Sequence, residues 1–189
     1  MFFSYNHKKI SEVKKILKNS CLKIVALNKL KNINEPKEVG GSFADNAKIK
    51  SLFGFKRFKY PCFADDSGIC IRALNNKPGV KSNRFLKNFK TTKEAFDYII
   101  SNTIKKNDNR AFFNTTICLT LNLNQHVFFV GQINGTISRK PRGSNGFGYD
   151  PIFIPEGVNK TFAEMSLGKK NLLSHRLVAL QKMESFLIN

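Results

Sequence analysis

Two adjacent aspartates, Asp65 and Asp66, lie between two apolar stretches of the sequence, residues 61–64 and 69–74. Buried charges are costly unless another group offsets them, and two neighbouring carboxylates also repel each other. We therefore expect a bound cation, a shared proton or a lysine beside this pair. Mg²⁺ takes oxygen ligands, commonly one or two carboxylates together with substrate phosphates. Taken alone, the segment fits a turn as well as a metal site, because Asp-Asp-Ser-Gly is also favourable in turns.

The chain carries a large positive charge: 32 lysines and arginines against 13 aspartates and glutamates give a net charge of +19 in 189 residues. Such a charge suits nucleic acid, an anionic membrane or an anionic small ligand. The basic residues are dispersed, without a long run of like charges. We therefore attribute most of the charge to compositional bias and a minority of the lysines to function.

Length and composition predict one globular domain spanning residues 1–189, with enough apolar residues to bury a core. The four cysteines form no Cys-x-x-Cys pair and have apolar neighbours, so we expect reduced, buried thiols. No apolar stretch approaches the roughly 20 residues of a membrane span, and the first residues show no signal-peptide pattern. These features predict a soluble protein of the cytoplasm that does not bind membranes.

Hydrophobic periodicity predicts a mixture of helices and strands. Helices are expected at residues 10–17, from 43 to about 53, from 91 to about 104, and at 169–187. Strands are expected at residues 1–4, 22–27, on both sides of the aspartate pair, and at 111–123, 126–137 and 151–154. Two capping boxes, Ser42-x-x-Asp45 and Thr91-x-x-Glu94, mark the starts of the second and third helices. The mixture, with its central hairpin, predicts an α/β or α+β sheet protein.

Two segments in the first part of the chain suit the binding of phosphate or metal. Residues 4–9 precede a helix, where backbone N–H groups bind phosphate, and Asn6 and Lys9 would add hydrogen bonds and a positive charge. Simple capping of the helix by Asn6 explains the same residues. Glu38 lies in a glycine-containing loop from which a carboxylate can reach a cleft.

Two segments in the second part of the chain suit the binding of a planar base. Residues 143–151 are rich in glycine, which lets the backbone approach a ligand closely, and Phe147 and Tyr149 are suited to stacking on a base. Lys170 and Ser174 are neighbours on the predicted last helix, and the residues after Ser174 supply donors for the oxygen atoms of a base. A glycine-rich connection and a solvated helix face are the alternative explanations.

Taken together, these segments resemble the inosine/xanthosine triphosphate pyrophosphatase family, also called Ham1-like or RdgB-like. The matching pieces occur in the family's order and span nearly the whole chain. They are Ser4-x-Asn6-x-x-Lys9, Glu38-x-Gly40, Phe43-x-Asp45-Asn46-Ala47-x-x-Lys50, Ala64-Asp65-Asp66-Ser67-Gly68, Pro78-Gly79, Ser82-x-Arg84, Gly146-Phe147-Gly148-Tyr149-Asp150-Pro151, Thr161-x-Ala163-Glu164, and Lys170 with Ser174-His175-Arg176. The sequence departs from the family pattern at Tyr5, where the family has a small residue, and at Asp45, where it has glutamate.

The resemblance implies an enzyme that cuts the α–β phosphoanhydride of ITP, dITP or XTP, leaving a monophosphate and pyrophosphate. It implies Mg²⁺ as the cofactor, a homodimer as the assembly, and no nucleic-acid partner. The implied fold class is α/β, with a long twisted mixed β-sheet flanked by helices and two lobes around a central active-site cleft.

The resemblance also implies roles for individual residues. Glu38 and Asp66 would hold the metal, and Asp66, Asp65 and Lys50 would be catalytic. The substrate would be bound by Ser4, Asn6, Lys9, Ser67, Phe147, Gly148, Tyr149, Asp150, Lys170, His175 and Arg176. Donors aimed at the 6-oxygen of the base would discriminate against adenine, whose amino group would leave them unpaired.

Three rival interpretations remain at the level of sequence. A Maf-like pyrophosphatase would act on other modified nucleotides. A basic nucleic-acid-binding protein would need a clustered basic face and would bind with steep salt dependence. A degenerate relative would bind nucleotide without cutting it, which the presence of Asp65, Asp66, Lys50 and Asn6 argues against.

Overall fold

The computed structural model describes residues 1–18 and 36–188. The helices are α1 (His7–Ile16), α2 (Phe43–Phe58), α3 (Ser82–Lys87), α4 (Thr92–Lys105), α5 (Leu167–Leu172) and α6 (His175–Ile188). The strands are β1 (Cys62–Ile71), β2 (Lys77–Pro78), β3 (Arg110–Thr120), β4 (His126–Ile137) and β5 (Phe153–Pro155). Single 3₁₀ turns lie at Arg72–Leu74, Gly79–Lys81 and Phe162–Glu164.

The described strands form one sheet in the order β2-β1-β3-β4-β5. β1 pairs antiparallel with β2, and β4 pairs antiparallel with β5, with Thr136 opposite Ile154. Within residues 1–18 and 36–188, the predicted strand at residues 1–4 forms a single parallel bridge, between Phe2 and Phe63. The predicted α/β class, with a β-sheet flanked by helices, is confirmed, whereas mixed strand directions within the sheet and two lobes around a cleft stay predictions.

The contacts divide the chain into two units. Unit 1 comprises Met1–Asp66, Thr115–Gly131 and Arg176–Asn189, and unit 2 comprises Ser67–Asn114 and Gln132–His175. The main core of unit 1 includes Phe2, Val13, Ile117 and Leu180. The core of unit 2 includes Ile71, Ile99, Phe113, Phe153 and Phe162. Each unit therefore has apolar packing of its own, and a single domain over residues 1–189 stays a prediction.

The starts of the first two helices follow from their capping residues. The Asn6 side chain accepts hydrogen bonds from the backbone N–H groups of Lys8 and Lys9, both at 3.1 Å. α1 therefore begins at His7 instead of at the predicted residue 10. The capping box of Ser42 and Asp45 is present as predicted. α2 then continues to Phe58, five residues beyond the expected end.

The C-terminal segment is two helices, so the prediction of one helix over residues 169–187 is wrong. α5 ends because the N–H of Leu173 donates to the carbonyl of Lys170, a bond that spans only three residues. The Ser174 hydroxyl donates to the carbonyl of Asn171 at 3.2 Å and competes with a continuing helix. Lys170 and Ser174 are therefore not neighbours on one helix.

The aspartate pair lies inside a single strand, β1, instead of in a turn between two strands. The predicted strand at residues 22–27 and Cys21 lie outside the described residues.

Cys62, Cys70 and Cys118 are free and buried, as expected. Burial raises the pKa of the Cys62 thiol to about 12, which leaves it unreactive at neutral pH. Over residues 1–18 and 36–188, no helix combines the length and the apolar character that crossing a membrane requires.

Candidate functional site

Two side chains on one face of α2 contact Asp66. Asn46 and Lys50 are four residues apart and therefore project from adjacent turns of the helix. The Lys50 ammonium lies 2.6 Å from Oε1 of Glu38 and 3.7 Å from Oδ1 of Asp66. The Asn46 Nδ2 donates to Oδ2 of Asp66 at 3.0 Å. Through Lys50, α2 therefore contacts both Glu38 and Asp66.

A second set of ion pairs surrounds Asp65. Its Oδ2 lies 2.9 Å from Nζ of Lys9, on α1, and 3.4 Å from a guanidinium nitrogen of Arg176, on α6. Arg176 also donates to the buried carboxylate of Glu12, one turn along α1 from Lys9. We call Lys9, Glu12, Glu38, Lys50, Asp65, Asp66 and Arg176 the carboxylate cluster, and all of them belong to unit 1.

The pKa values within the carboxylate cluster reflect strong burial. Burial raises the pKa of Asp66 above its usual range, although Lys50 and Lys9 oppose the change. Burial lowers the pKa of Lys9, against the attraction of Asp65. Burial also acts to lower the pKa of Lys50, but the surrounding carboxylates outweigh it and raise that pKa. Lys50 is therefore a permanent positive charge near neutral pH.

The carboxylate cluster has the donors for a divalent cation that also contacts phosphate. Among residues 1–18 and 36–188, no group of three or more His, Cys, Asp and Glu side chains forms a complete metal site. Mg²⁺ does not require one, because one or two carboxylates and substrate phosphates usually hold it. Glu38 and Asp66 approach the same ammonium, that of Lys50, and so lie in one neighbourhood. With the cluster's acids and bases ionised, its four carboxylates exceed its three basic groups by one negative charge, which suits a cation.

The N-terminal segment that was predicted to bind phosphate is organised by hydrogen bonds within itself. Ser4 is buried, and its hydroxyl accepts from the backbone N–H of Asn6 at 3.2 Å. Asn6 caps α1, so its side-chain oxygen is used by two of the N–H groups of the first turn. Capping accounts for the position of Asn6, and contact of Ser4 or Asn6 with phosphate stays a prediction.

In unit 2, Lys170 and Asp150 form a buried ion pair. The Lys170 Nζ lies 2.7 Å from Oδ2 of Asp150, and each side chain is 4% exposed. The same oxygen accepts from the backbone N–H of Phe147 at 2.7 Å. Nζ also lies 4.5 Å from the centre of the Phe147 ring, within the range of a cation–π contact. The glycine-rich loop and α5 therefore meet at one charged, aromatic site.

The other residues predicted to bind the base have different surroundings. Tyr149 is buried in the core of unit 2, and its hydroxyl donates to the carbonyl of Ser82 at 2.8 Å. Tyr149 therefore contributes to the core of unit 2, and its stacking on a base stays a prediction. His175 stacks on Phe113, with ring centres 4.8 Å apart.

The remaining predicted residues divide between the two units. Arg176 lies in the carboxylate cluster of unit 1, whereas Lys170 and His175 lie in unit 2. A contact between Arg176 and a base therefore stays a prediction. Gly148 adopts a positive φ of 60°, and a Cβ at this position would meet no atom within 4 Å. Ser67 lies in β1, directly after the aspartate pair.

The sequence interpretation gave no role to two residues of the site. Glu12 is 2% exposed and forms an ion pair with Arg176. Its spacing of three residues from Lys9 was the available signal, since it places both side chains on one side of α1. Asn46 is fully buried against Asp66, and its spacing of four residues from Lys50 was the corresponding signal.

The sequence and the fold are both similar to those of known proteins. A family model described as the Ham1 family matches residues 1–186. A dITP/XTP pyrophosphatase of Gluconobacter oxydans is 38% identical over 92% of this chain and 83% of its own length. A dITP/XTP pyrophosphatase of Flavobacterium psychrophilum is 36% identical over 100% of this chain and 98% of its own.

Two solved structures share the fold. A HAM1 protein from Coxiella burnetii matches with a TM-score of 0.87 and 34% identity, over 99% of this chain and 96% of that protein. The Ham1 protein of Staphylococcus aureus matches with a TM-score of 0.85 and 31% identity, over 98% and 96% of the two chains. Because sequence and fold agree over nearly the full length, the chain belongs to the Ham1 family.

Proposed function

We propose that this chain is a Mg²⁺-dependent pyrophosphohydrolase of deaminated purine nucleoside triphosphates. ITP, dITP and XTP would be cut at the α–β phosphoanhydride to a monophosphate and pyrophosphate. The observation that carries the proposal is the carboxylate cluster, in which Glu38 and Asp66 share one lysine, in a chain of the Ham1 family. The relatives in Gluconobacter and Flavobacterium are named dITP/XTP pyrophosphatases, which supports dITP and XTP among these substrates.

Glu38 and Asp66 are the residues that would hold Mg²⁺, with Lys50 beside them. When bound, the ion would neutralise charge on the phosphate oxygens and favour attack by water. Lys50 and Lys9 would bind the triphosphate and stabilise the charge that develops at phosphorus. Ser4, Asn6 and Ser67 would add hydrogen bonds to its oxygens.

Asp65 has a different position from Asp66 and would act on the water. Lys9 and Arg176 both contact its Oδ2 and stabilise its negative charge. Asp65 would therefore orient the water by accepting a hydrogen bond from it.

The base would be recognised by the site around Lys170 in unit 2. Phe147 would stack on the ring, as aromatic side chains do on bases. Lys170, held by Asp150, would donate to the 6-oxygen, with His175 as a further polar group. Adenine presents an amino group at that position, so a buried donor would lose its acceptor and ATP would be a poor substrate.

The substrate proposal predicts faster pyrophosphate release from ITP than from ATP. With Mg²⁺ at slightly alkaline pH, kcat/KM for ITP is expected to exceed that for ATP by about a hundredfold or more, because of the unpaired donor. EDTA is expected to abolish release from both. Equal rates of pyrophosphate release from ITP and ATP would contradict the base specificity.

Two other outcomes would favour the rival functions. Pyrophosphate release from modified pyrimidine nucleotides alone would favour the Maf-like alternative. Salt-sensitive nucleic-acid binding without hydrolysis would favour the nucleic-acid-binding alternative.

The proposal also includes a homodimer that works in the cytoplasm, where nucleotide pools are cleared of deaminated purines. Phe128 and Val130 are two residues apart on β4, so they point to the same face of the strand, and both are more than 40% exposed, which suits contact with another chain. Sedimentation is expected to show a species of twice the 21.5 kDa chain mass. A species of single chain mass at micromolar concentration would contradict the dimer.

A further inference from the structure

We propose that Asn46 is a positioning residue that couples the Glu38 loop to Asp66 and thereby sets the spacing of the two carboxylates. The inference rests on the proposed function, because it concerns the Mg²⁺ ligands of that same site. Asn46 itself would contact neither the metal nor the substrate.

Both ends of the Asn46 amide are used in this coupling. Its Oδ1 accepts from the backbone N–H of Gly40 at 2.8 Å, and its Nδ2 donates to Oδ2 of Asp66 at 3.0 Å. The orientation of the amide follows from its partners, since an N–H can only donate and a carboxylate accepts. Gly40 is two residues after Glu38, so the amide ties the backbone of that loop to the strand that carries Asp66.

Asn46 differs from Lys50, which bridges the same two carboxylates. The positive charge of Lys50 opposes a divalent cation held by Glu38 and Asp66, so this ionic bridge weakens when the site is filled. The amide of Asn46 is neutral and does not compete with a cation. It is also fully buried, so water does not replace its hydrogen bonds. The neutral bridge therefore persists in the metal-loaded state.

The loop approaches Asn46 so closely that only glycine fits at residue 40. A Cβ on Gly40 would lie 2.5 Å from Cβ of Asp45 and 2.7 Å from Oδ1 of Asn46. A Cβ on the next residue, Gly41, would meet no atom within 4 Å. The two adjacent glycines therefore form a matched pair, because Gly40→Ala disturbs the contact with Asn46 and Gly41→Ala leaves it intact.

The test measures Mg²⁺ binding to the full chain by calorimetry without nucleotide, next to thermal unfolding in EDTA and the Mg²⁺ dependence of ITP hydrolysis. Asn46→Ala and Gly40→Ala are expected to weaken Mg²⁺ binding by about tenfold to a hundredfold, as loss of a group that orients a metal ligand does. Saturating Mg²⁺ is expected to restore most of kcat. Gly41→Ala is expected to bind Mg²⁺ like the wild type. Ser51→Ala removes a different buried polar group of α2, and this variant is also expected to bind Mg²⁺ like the wild type.

Two outcomes would overturn the inference. Wild-type Mg²⁺ affinity in folded Asn46→Ala and Gly40→Ala would show that the coupling does not set the site. Equal weakening in Gly41→Ala would assign the effect to the loop in general and not to the amide. Failure of the wild-type chain to bind Mg²⁺ would overturn the proposed metal site together with this inference, so the two failures are distinguishable.

Discussion

Asp66→Asn is expected to lower pyrophosphate release from ITP by about a thousandfold, the scale seen when one charge-stabilising group is removed from a preorganised site. Asp66 is one of the two carboxylates that approach Lys50, and an amide at this position is neutral and a weak ligand. The measurement is kcat/KM for ITP at saturating Mg²⁺. Retention of more than a tenth of wild-type activity would remove Asp66 from the chemistry.

The same substitution is expected to leave the fold intact, which separates a catalytic role from a structural one. Burial raises the pKa of Asp66, so the folded chain holds the ionised form at a cost in free energy at neutral pH. The neutral amide of the variant would not carry that cost. As pH falls through the raised pKa, the wild-type carboxyl takes up a proton in the folded state first and its cost disappears. In EDTA, the wild type is therefore expected to gain stability relative to the variant between neutral pH and about pH 4.

Asp97→Asn is the matched control, since it makes the same chemical change at an exposed position on α4. Its activity with ITP is expected to stay within about twofold of the wild type, as surface substitutions have little effect. A large loss in both variants would point to the net charge of the chain as the cause. A loss in Asp66→Asn alone assigns the effect to the carboxylate cluster.

Local signals were sufficient to predict much of the fold from the sequence. The capping box of Ser42 marks the first turn of α2, and apolar stretches mark β4 at its observed bounds. Boundaries failed where short-range polar contacts decide them. Asn6 starts α1 early, and the Ser174 hydroxyl bonds to a carbonyl where the apolar spacing predicts a continuous helix. Hydrophobic periodicity indicates which side chains are buried, but it does not indicate hydrogen bonds between polar side chains and the backbone.

The members of the candidate site were easier to predict than their partners. The family pattern selects Glu38, Lys50 and Asp66, which the structure brings together through Lys50. Glu12 was not predicted as a site residue because a charged residue on an amphipathic helix is ordinarily exposed. Only the fold shows that Arg176 lies beside it. The two residues are 164 positions apart in the chain, beyond the reach of any local pattern.

Asp150→Asn is expected to lower the free energy of unfolding by about 3 kcal/mol, because it leaves the charge of Lys170 buried without its nearest carboxylate. The substitution keeps the size of the side chain and an oxygen that can accept from the N–H of Phe147. Urea denaturation measures this change in the free energy of unfolding.

Asp108→Asn is the exposed control for this prediction. It breaks an ion pair of similar length, 2.8 Å, whose Arg110 side chain is 73% exposed. This substitution is expected to lower the free energy of unfolding much less than Asp150→Asn does, because solvent screens an exposed ion pair. Equal losses of unfolding free energy in the two variants would contradict the prediction that burial makes the Asp150–Lys170 pair the more costly one to break.

The double variant Asp150→Asn with Lys170→Met separates the stability of this pair from its function. Replacing Lys170 by an apolar side chain removes the buried charge that Asp150→Asn leaves behind, so most of the lost stability is expected to return. The preference for ITP over ATP is expected not to return, because the donor proposed for the 6-oxygen is absent. Recovery of both properties would show that Lys170 does not recognise the base. Recovery of stability alone would show that the preference for ITP depends on the Lys170–Asp150 pair and not on the stability of the fold, and that the cost of burying the lysine charge is offset by its carboxylate partner.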